Sequence, residues 1–114
     1  MLSAGRPGDA ADALERAVAV DPSFAGAWIG LARLHLAEGD HDTALAFCER
    51  AAMLAAGDGT TLAEVATLQG RALEAAGRYV AARDAYVRAL VLAPDYPAAR
   101  DGLDRVTALG QSAD

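Results

Sequence analysis

Residues 25–58 read AGAWIGLARLHLAEGDHDTALAFCERAAMLAAGD, and this stretch decides the fold. Its apolar residues return at intervals of three and four, which predicts two helices that meet at Gly39. The first helix carries Trp28 on its apolar face, whereas the second carries Cys48 within a line of alanines. The positions on the two faces are Trp28, Leu31, Ala32 and His35, followed by Ala44, Cys48, Ala51, Ala52 and Ala55. Because a bulky ring faces small side chains, the two helices can pack closely as an antiparallel pair.

The same pattern occurs on both sides of this stretch. Gly39 has counterparts at Gly5 and Gly77, which lie 34 residues before it and 38 residues after it. The positions that match when counted on from each glycine are Ala10, Ala44 and Ala82, then Leu14, Cys48 and Tyr86, then Ala17, Ala51 and Ala89, and finally Pro22, Ala56 and Pro94. The glycine and proline matches carry most weight, because both residues are scarce and stand where helices end or begin.

This pattern resembles the tetratricopeptide repeat, a pair of helices A and B with a period of about 34 residues. The resemblance implies an all-α fold of about six helices, in which helical hairpins stack into a right-handed superhelical solenoid. The second repeat departs from the family pattern, since it has Ala66 where Trp28 stood, Gln69 at a leucine position and Leu73 at a tyrosine position. Its helix A is therefore the most weakly patterned of the chain.

The repeat register predicts a single domain over residues 1–114. Its segments are a partial repeat that supplies only helix B at 1–24, a repeat at 25–58, a four-residue insertion at 59–62, a repeat at 63–96, and a capping helix or truncated repeat at 97–109. Leu2 and Ala4 are expected to be the last residues of a helix A that is otherwise missing.

Several helix ends have recognisable capping residues. Ser23 and Asp40 are predicted N-caps of the helices that carry Trp28 and Cys48. Thr61 and Glu64 match a capping box, which predicts that the next helix begins near Leu62. The insertion is about one helical turn long, so it can lengthen that helix while its apolar face keeps its direction.

Composition limits the classes of partner and compartment. The net charge of −6 argues against general binding to nucleic acid or to an anionic membrane. All ten basic residues are arginine, which together with the abundance of alanine suggests a GC-rich bacterial genome. A single cysteine excludes an internal disulfide, and no run reaches the roughly 20 apolar residues of a membrane span. With no apolar signal core at the amino terminus, these features predict a cytoplasmic protein.

Four neighbouring polar residues, His35, Glu38, His41 and Asp42, could be imagined as metal ligands. The register instead places both histidines at packing positions on two antiparallel helices, which favours structural roles. Cys48 occupies a large core position and is expected to be an inert buried thiol. Because no catalytic constellation or phosphate-binding glycine loop is present, the sequence predicts neither an enzyme nor a cofactor or metal site.

The resemblance implies a binding site for a peptide or partner segment in the concave groove that the A helices line. The groove positions map onto Gly26, Ile29, Arg33 and Leu36 in the first repeat, Glu64, Thr67, Arg71 and Glu74 in the second, and Asp101 and Arg105 in the last helix. The family's clamp for a chaperone's terminal carboxylate needs lysine and asparagine at positions that hold Ile29 and Arg33 here. That specificity is therefore not supported.

Three of these groove residues, Arg33, Arg71 and Arg105, share one repeat position and should form a line. Guanidinium groups bind carboxylates through paired hydrogen bonds, so such a strip suits an acidic peptide or a free carboxyl terminus. The alternative is that acidic neighbours neutralise the arginines as ordinary surface ion pairs. The candidates for such pairing are Glu38, Glu64, Glu74 and Asp101.

Two classes of function remain open at the level of sequence. One is an interaction scaffold that uses its groove, and the other is a structural element that associates through its ends. The second class is motivated by the amino-terminal helix, where Leu14 and Val18 would lack a partner if helix A is missing. Such a face predicts a homo-oligomer formed through this helix. An ordinary amino-terminal helix is the simpler alternative.

Trp28→Ala tests the register. The substitution is expected to cost about 3–5 kcal/mol of unfolding free energy, because it removes the largest side chain of the best-defined repeat from its contacts. Urea denaturation followed by circular dichroism measures this loss. A loss below about 1 kcal/mol would show that the side chain is exposed and that the register is wrong.

Overall fold

The computed structural model describes residues 7–112, and over this range the chain forms six α-helices and no strand. The helices are α1 (Pro7–Val20), α2 (Ala25–Ala37), α3 (His41–Leu54), α4 (Gly59–Ala75), α5 (Tyr79–Leu92) and α6 (Pro97–Ser112). The all-α helical-hairpin fold expected from the sequence is confirmed. The turn expected at Gly5 and the helix end expected at Leu2 and Ala4 lie outside the described residues.

Each helix packs against the next one in the chain, and α2 with α3 and α4 with α5 form the most closely packed hairpins. The central helix α4 also contacts α2 and α6. By contrast, within the described part of the chain no Cα atoms of α1, α3 and α5 come within 8 Å of one another. The layer of α2, α4 and α6 is therefore the more closely spaced one, and it lies on the concave side of the stack.

Glycines end the first helix of each hairpin, as the sequence predicts. Gly39 and Gly77 have φ angles of 83° and 80°, which are values that residues with a Cβ rarely adopt. The residue after each glycine donates its amide to a carbonyl in the last turn of the preceding helix. A third left-handed glycine, Gly57 with φ of 90°, lies between α3 and α4. The repeat register did not predict a left-handed glycine at this position, because Gly57 has no glycine counterpart in the neighbouring repeat.

One of the two predicted N-caps is confirmed and the other is wrong. The carboxylate of Asp40 accepts a hydrogen bond of 3.3 Å from the amide of Thr43 and so caps α3. The N-cap of α2 is Phe24, which has no polar side chain to offer. Ser23 instead donates both its amide and its hydroxyl to the carboxylate of Asp21. Its hydroxyl is thus committed to the turn before the helix.

The predicted start of α4 near Leu62 is also wrong. The helix begins at Gly59, because the carboxylate of Asp58 accepts hydrogen bonds from both the amide and the hydroxyl of Thr61. Thr61 therefore stands inside the first turn and does not cap the helix with Glu64. The four inserted residues form that turn, so α4 has 17 residues where α2 has 13. The last helix likewise continues beyond the predicted end at residue 109, to Ser112.

The first core cluster lies around the α2–α3 hairpin and reaches α4. Its buried members are Ile29, Ala32, Cys48, Ala51, Val65 and Leu68. Trp28 packs against this cluster but remains half-buried, with its ring centroid 5.6 Å from that of Phe47. The indole N–H donates to the carbonyl of Pro22 at 2.9 Å, and the guanidinium of Arg50 lies over the ring. The tryptophan thus joins α2 to α3 and to the preceding turn.

The second cluster lies between α4, α5 and α6, and Tyr86 is its largest fully buried side chain. Its buried members are Ala66, Ala82, Tyr86, Ala89, Ala99 and Val106. The tyrosine ring lies directly against the backbone of Gly70 in α4 and of Gly102 in α6. A Cβ at Gly70 would stand only 2.6 Å from the ring, and one at Gly102 would be closer still. The two glycines are therefore required by the position of the ring.

At the amino-terminal end, Leu14 packs against Gly30 of α2 in the same chain. This side chain is therefore not part of an unpartnered face, which counts against self-association through Leu14. Val18 is also partly covered. Association through other parts of α1 stays a prediction.

Gly102→Ala tests the position of the Tyr86 ring. The added methyl group would overlap a fully buried ring, so the substitution is expected to cost about 1–3 kcal/mol of unfolding free energy. Gly110→Ala is the matched control, because Gly110 lies in the same helix and a Cβ added there would have no neighbouring atom within 4 Å. The control should be neutral or stabilising by up to about 1 kcal/mol, as alanine favours helices. Equal stabilities of the two variants in urea denaturation would contradict the close approach.

Candidate functional site

A groove of about 630 Å³ opens on the concave side of the stack. It is lined by Arg33, Leu36 and Ala37 from α2, by Arg71, Glu74 and Ala75 from α4, by Tyr79 from α5, and by Arg105 and Leu109 from α6. Apart from the tyrosine, every lining residue belongs to the inner layer of helices. Polar and apolar side chains of three neighbouring helices therefore share one surface.

The groove brings together five of the ten residues that the sequence placed there. Arg33, Leu36, Arg71, Glu74 and Arg105 all line it. They belong to three helices and are separated by up to 72 positions in the chain. The repeat register accounts for their meeting, because equivalent positions in stacked repeats point the same way.

Two other predicted groove residues, Ile29 and Thr67, are buried below the surface. Ile29 is 6% exposed and belongs to the first core cluster. Thr67 is 4% exposed, and its hydroxyl donates to the carbonyl of Ala63 within its own helix at 2.8 Å. They occupy equivalent positions one helical turn before Arg33 and Arg71, where the neighbouring helix covers the surface. Gly26 and Asp101 are exposed but do not line the groove.

Four lining residues were not predicted from the sequence. Ala37, Ala75 and Leu109 each stand four residues after one of the arginines, so they too share one repeat position. Residues four apart lie on the same helix face, and extending the arginine register by one turn would have found them. Tyr79 is the first residue of α5, a B helix. No sequence signal placed it in the groove.

The arginines at the two ends of the line are paired with carboxylates of the same chain. At one end, Arg33 donates a hydrogen bond to Glu64 of the neighbouring helix α4. Both side chains are substantially exposed, at 53% and 33%. The pair neutralises Arg33 and connects α2 to α4, although exposed pairs contribute little to stability.

At the other end, Glu74 lies at the centre of a hydrogen-bond network. Arg105 of α6 grips its carboxylate with two guanidinium nitrogens, one of them at 2.9 Å from Oε1. The Tyr86 hydroxyl donates to the same oxygen at 2.8 Å. The hydrogen bond from Arg105 holds the pKa of Glu74 below its usual 4.5, with further contributions from Tyr86 and from the charge of Arg71. The pKa of Tyr86 is raised, mainly by burial. The carboxylate is thus fixed in its ionised form.

The central arginine, Arg71, differs from the other two. It is exposed and lines the groove, yet within residues 7–112 it makes no hydrogen bond or ion pair of its own. Its charge is close enough to Glu74 to lower the pKa of that carboxyl group. However, the two oxygens of Glu74 already accept hydrogen bonds from Arg105 and Tyr86. The guanidinium of Arg71 therefore keeps its donors available.

Away from the groove, the other candidate residues have packing roles. His35 packs against Phe47 with ring centroids 5.2 Å apart and the rings tilted by 43°, as its predicted packing position requires. Cys48 is 1% exposed, and burial raises the pKa of its thiol to about 11, so the sulfur stays protonated at neutral pH. Across the described residues, no three histidine, cysteine, aspartate or glutamate side chains are arranged to hold a metal ion.

The paired helices, the turn glycines and the groove between stacked repeats agree with a comparison to known families. A family model described as tetratricopeptide repeat matches residues 1–72, which is well over half of the chain. The chain belongs to the tetratricopeptide repeat family. Tetratricopeptide repeats generally mediate protein–protein interactions. No curated protein matches the chain. In the part that the structure describes, no helix combines the length and the apolar character that a membrane span needs.

Glu74→Gln tests the network at the end of the groove. The variant is expected to lose about 1–3 kcal/mol of unfolding free energy at pH 7, because it weakens charge-assisted hydrogen bonds to a partly buried group. Since the folded-state pKa of Glu74 lies below 4.5, its contribution is complete above that pH. It is lost as the pH falls through the folded-state value.

The difference between wild type and Glu74→Gln should therefore shrink as urea denaturation is repeated from pH 5 downwards. Glu15→Gln is the control for the loss of one carboxylate, because Glu15 is exposed on α1. Its effect should stay within about 0.5 kcal/mol. A difference for Glu74→Gln that stays constant with pH would contradict the role of the ionised carboxylate.

Proposed function

We propose that this tetratricopeptide repeat protein is a non-enzymatic scaffold that binds an extended segment of a partner protein in its concave groove. The observation that supports this most directly is the groove itself, about 630 Å³ in volume and lined by side chains of α2, α4 and α6. Its size lies within the roughly 300–1,000 Å³ range of ligand-binding clefts. Its open shape and mixed lining suit a peptide better than a small metabolite.

The charges of the groove favour an acidic partner segment. Three guanidinium groups line it, of which Arg33 and Arg105 are paired with carboxylates, so the charge of Arg71 is left over in a protein whose net charge is −6. A positive surface within an acidic protein attracts anionic groups locally while the rest of the surface repels them. Nucleic acids and anionic membranes, which need a broad positive surface, are therefore not the partners that we propose. Self-association through α1 is not part of the proposal, because Leu14 already contacts Gly30.

Selection from a displayed peptide library, followed by affinity measurements with synthetic peptides, tests this proposal. In Ala75→Trp, an indole would fill the groove beside Arg71, and the affinity of the selected peptides should fall by at least about tenfold, equivalent to about 1.4 kcal/mol. Ala46→Trp is the matched control, because Ala46 is exposed on α3 and does not line the groove. Its affinities should equal those of the wild type.

Circular dichroism and urea denaturation of both tryptophan variants separate a blocked groove from a damaged fold. If folded Ala75→Trp binds the selected peptides as well as the wild type, the groove is not the binding surface. Loss of binding in both variants would equally contradict the proposal.

A further inference from the structure

We infer that the groove selects a partner segment with one internal acidic side chain that binds Arg71 and with an apolar side chain about three residues to either side. This inference rests on the proposed function and deepens it by specifying the chemistry of the segment. Its basis is the difference among the three arginines and the order of apolar side chains along the groove.

Pairing within the chain distinguishes Arg71 from the other two arginines. Arg33 and Arg105 are already paired, with Glu64 and Glu74 respectively. Arg71 lies between them in the line, exposed and without a hydrogen-bonded partner among the described residues. A guanidinium offers a fork of N–H donors that matches the two oxygens of a carboxylate. The groove therefore presents one available site for a partner's carboxylate, at its centre. Three unpaired arginines would instead have favoured a strongly acidic peptide.

Apolar side chains line the helices on either side of α4, about one helical turn further along each helix than the arginines. On the α2 side the lining includes Leu36 and Ala37, and on the α6 side it includes Leu109. Leu109 is 37% exposed, so part of its apolar surface is open to a bound segment. An acidic residue bound over α4 would thus have apolar neighbours over α2 and over α6.

The distance between neighbouring helices sets the spacing of the bound side chains. Packed helix axes lie about 8–10 Å apart, and α4 contacts both α2 and α6. A polyproline II segment rises about 3.1 Å per residue and completes a turn every three residues, which is about 9 Å. Side chains three residues apart then point to the same side at the spacing of adjacent helices. The expected pattern is apolar-x-x-acidic-x-x-apolar.

The same arrangement favours an internal acidic residue over a free carboxyl terminus. A chain that ended at Arg71 would cover only one of the two apolar surfaces, either that of Leu36 or that of Leu109. A segment that continues past Arg71 covers both. We therefore assign the carboxylate to a glutamate or aspartate side chain within the segment.

The test uses the full 114-residue protein and fluorescein-labelled peptides, which have both ends blocked except where a free carboxyl terminus is stated. The reference peptide contains the sequence LSSESSL, and fluorescence anisotropy measures its affinity. One comparison peptide has glutamine in place of glutamate, a second has serine in place of both leucines, and a third places the leucines directly beside the glutamate. A fourth ends in LSSL with a free terminal carboxylate and has no glutamate.

The protein variants are Arg71→Gln and, as the matched control, Arg83→Gln. Arg83 is an exposed arginine on α5 outside the groove, so the control loses the same charge. We expect the glutamine peptide to bind the wild type at least about tenfold more weakly than the reference peptide, as is typical for loss of a charge-assisted hydrogen bond. Arg71→Gln should cause the same loss for the reference peptide, leave the glutamine peptide unchanged and remove the difference between them.

The other peptides test the spacing and the internal position. The serine peptide, the respaced peptide and the peptide with a free terminus should each bind more weakly than the reference. The inference is overturned if Arg71→Gln weakens the glutamine peptide as much as the reference peptide, or if Arg83→Gln has the same effect as Arg71→Gln. It is equally overturned if the respaced or free-terminus peptide binds as tightly as the reference.

A separate outcome distinguishes this inference from the proposed function. If the library-selected peptides bind the wild type, lose affinity for Ala75→Trp and keep it for Arg71→Gln, the groove is the binding surface but Arg71 does not select the partner. That result would contradict the inference and leave the scaffold intact. If selected peptides are insensitive to Ala75→Trp, the proposed function itself fails.

Discussion

The structure depends most on the packing of Tyr86 between two glycines. Its ring occupies the space that side chains at Gly70 and Gly102 would otherwise fill, so one residue of α5 sets the approach of both α4 and α6. Closely packed interiors leave little room for adjustment, and a single added methyl group there is costly. The ring also fixes where its hydroxyl reaches the edge of the core. That hydroxyl donates to Glu74, which lies on the groove surface.

Through this contact the core determines the electrostatics of the groove. Hydrogen bonds from Tyr86 and Arg105 position Glu74, and both of its carboxylate oxygens accept at least one of these bonds. The pairing of Arg105 follows from this arrangement, and Arg33 is neutralised independently by Glu64. Arg71 is left available, since the oxygens of Glu74, whose pKa its charge lowers, already accept hydrogen bonds from other groups. Tyr86 in the core is thus connected to Arg105 on the groove surface by two hydrogen-bonded steps through Glu74.

The two hairpins fill equivalent parts of their cores with side chains that differ in size and come from different helices. In the first, the large ring comes from helix A as Trp28, opposite the small Cys48. In the second, helix A contributes Ala66, and the large ring comes from helix B as Tyr86. This exchange explains why α4 has the weakest family pattern in the sequence and yet carries seven buried residues. The small side chains of α4 leave room for the ring of Tyr86. Because α4 lies at the centre of the stack, neighbouring helices bury it on both sides.

The sequence by itself determined the helices, their pairing partners and most of the residues that line the groove. Turn glycines and the repeat period can be read from the order of residues along the chain, without knowledge of tertiary contacts. It also placed Arg33, Arg71 and Arg105 in one line. It failed at Ser23 and Leu62, where short-range hydrogen bonds of Asp21 and Asp58 decide the helix boundaries. Only the tertiary structure decided the burial of Ile29 and Thr67 and the pairing of each arginine. Those outcomes depend on which atoms of separate helices come within hydrogen-bonding distance, and the repeat pattern treats equivalent arginines alike.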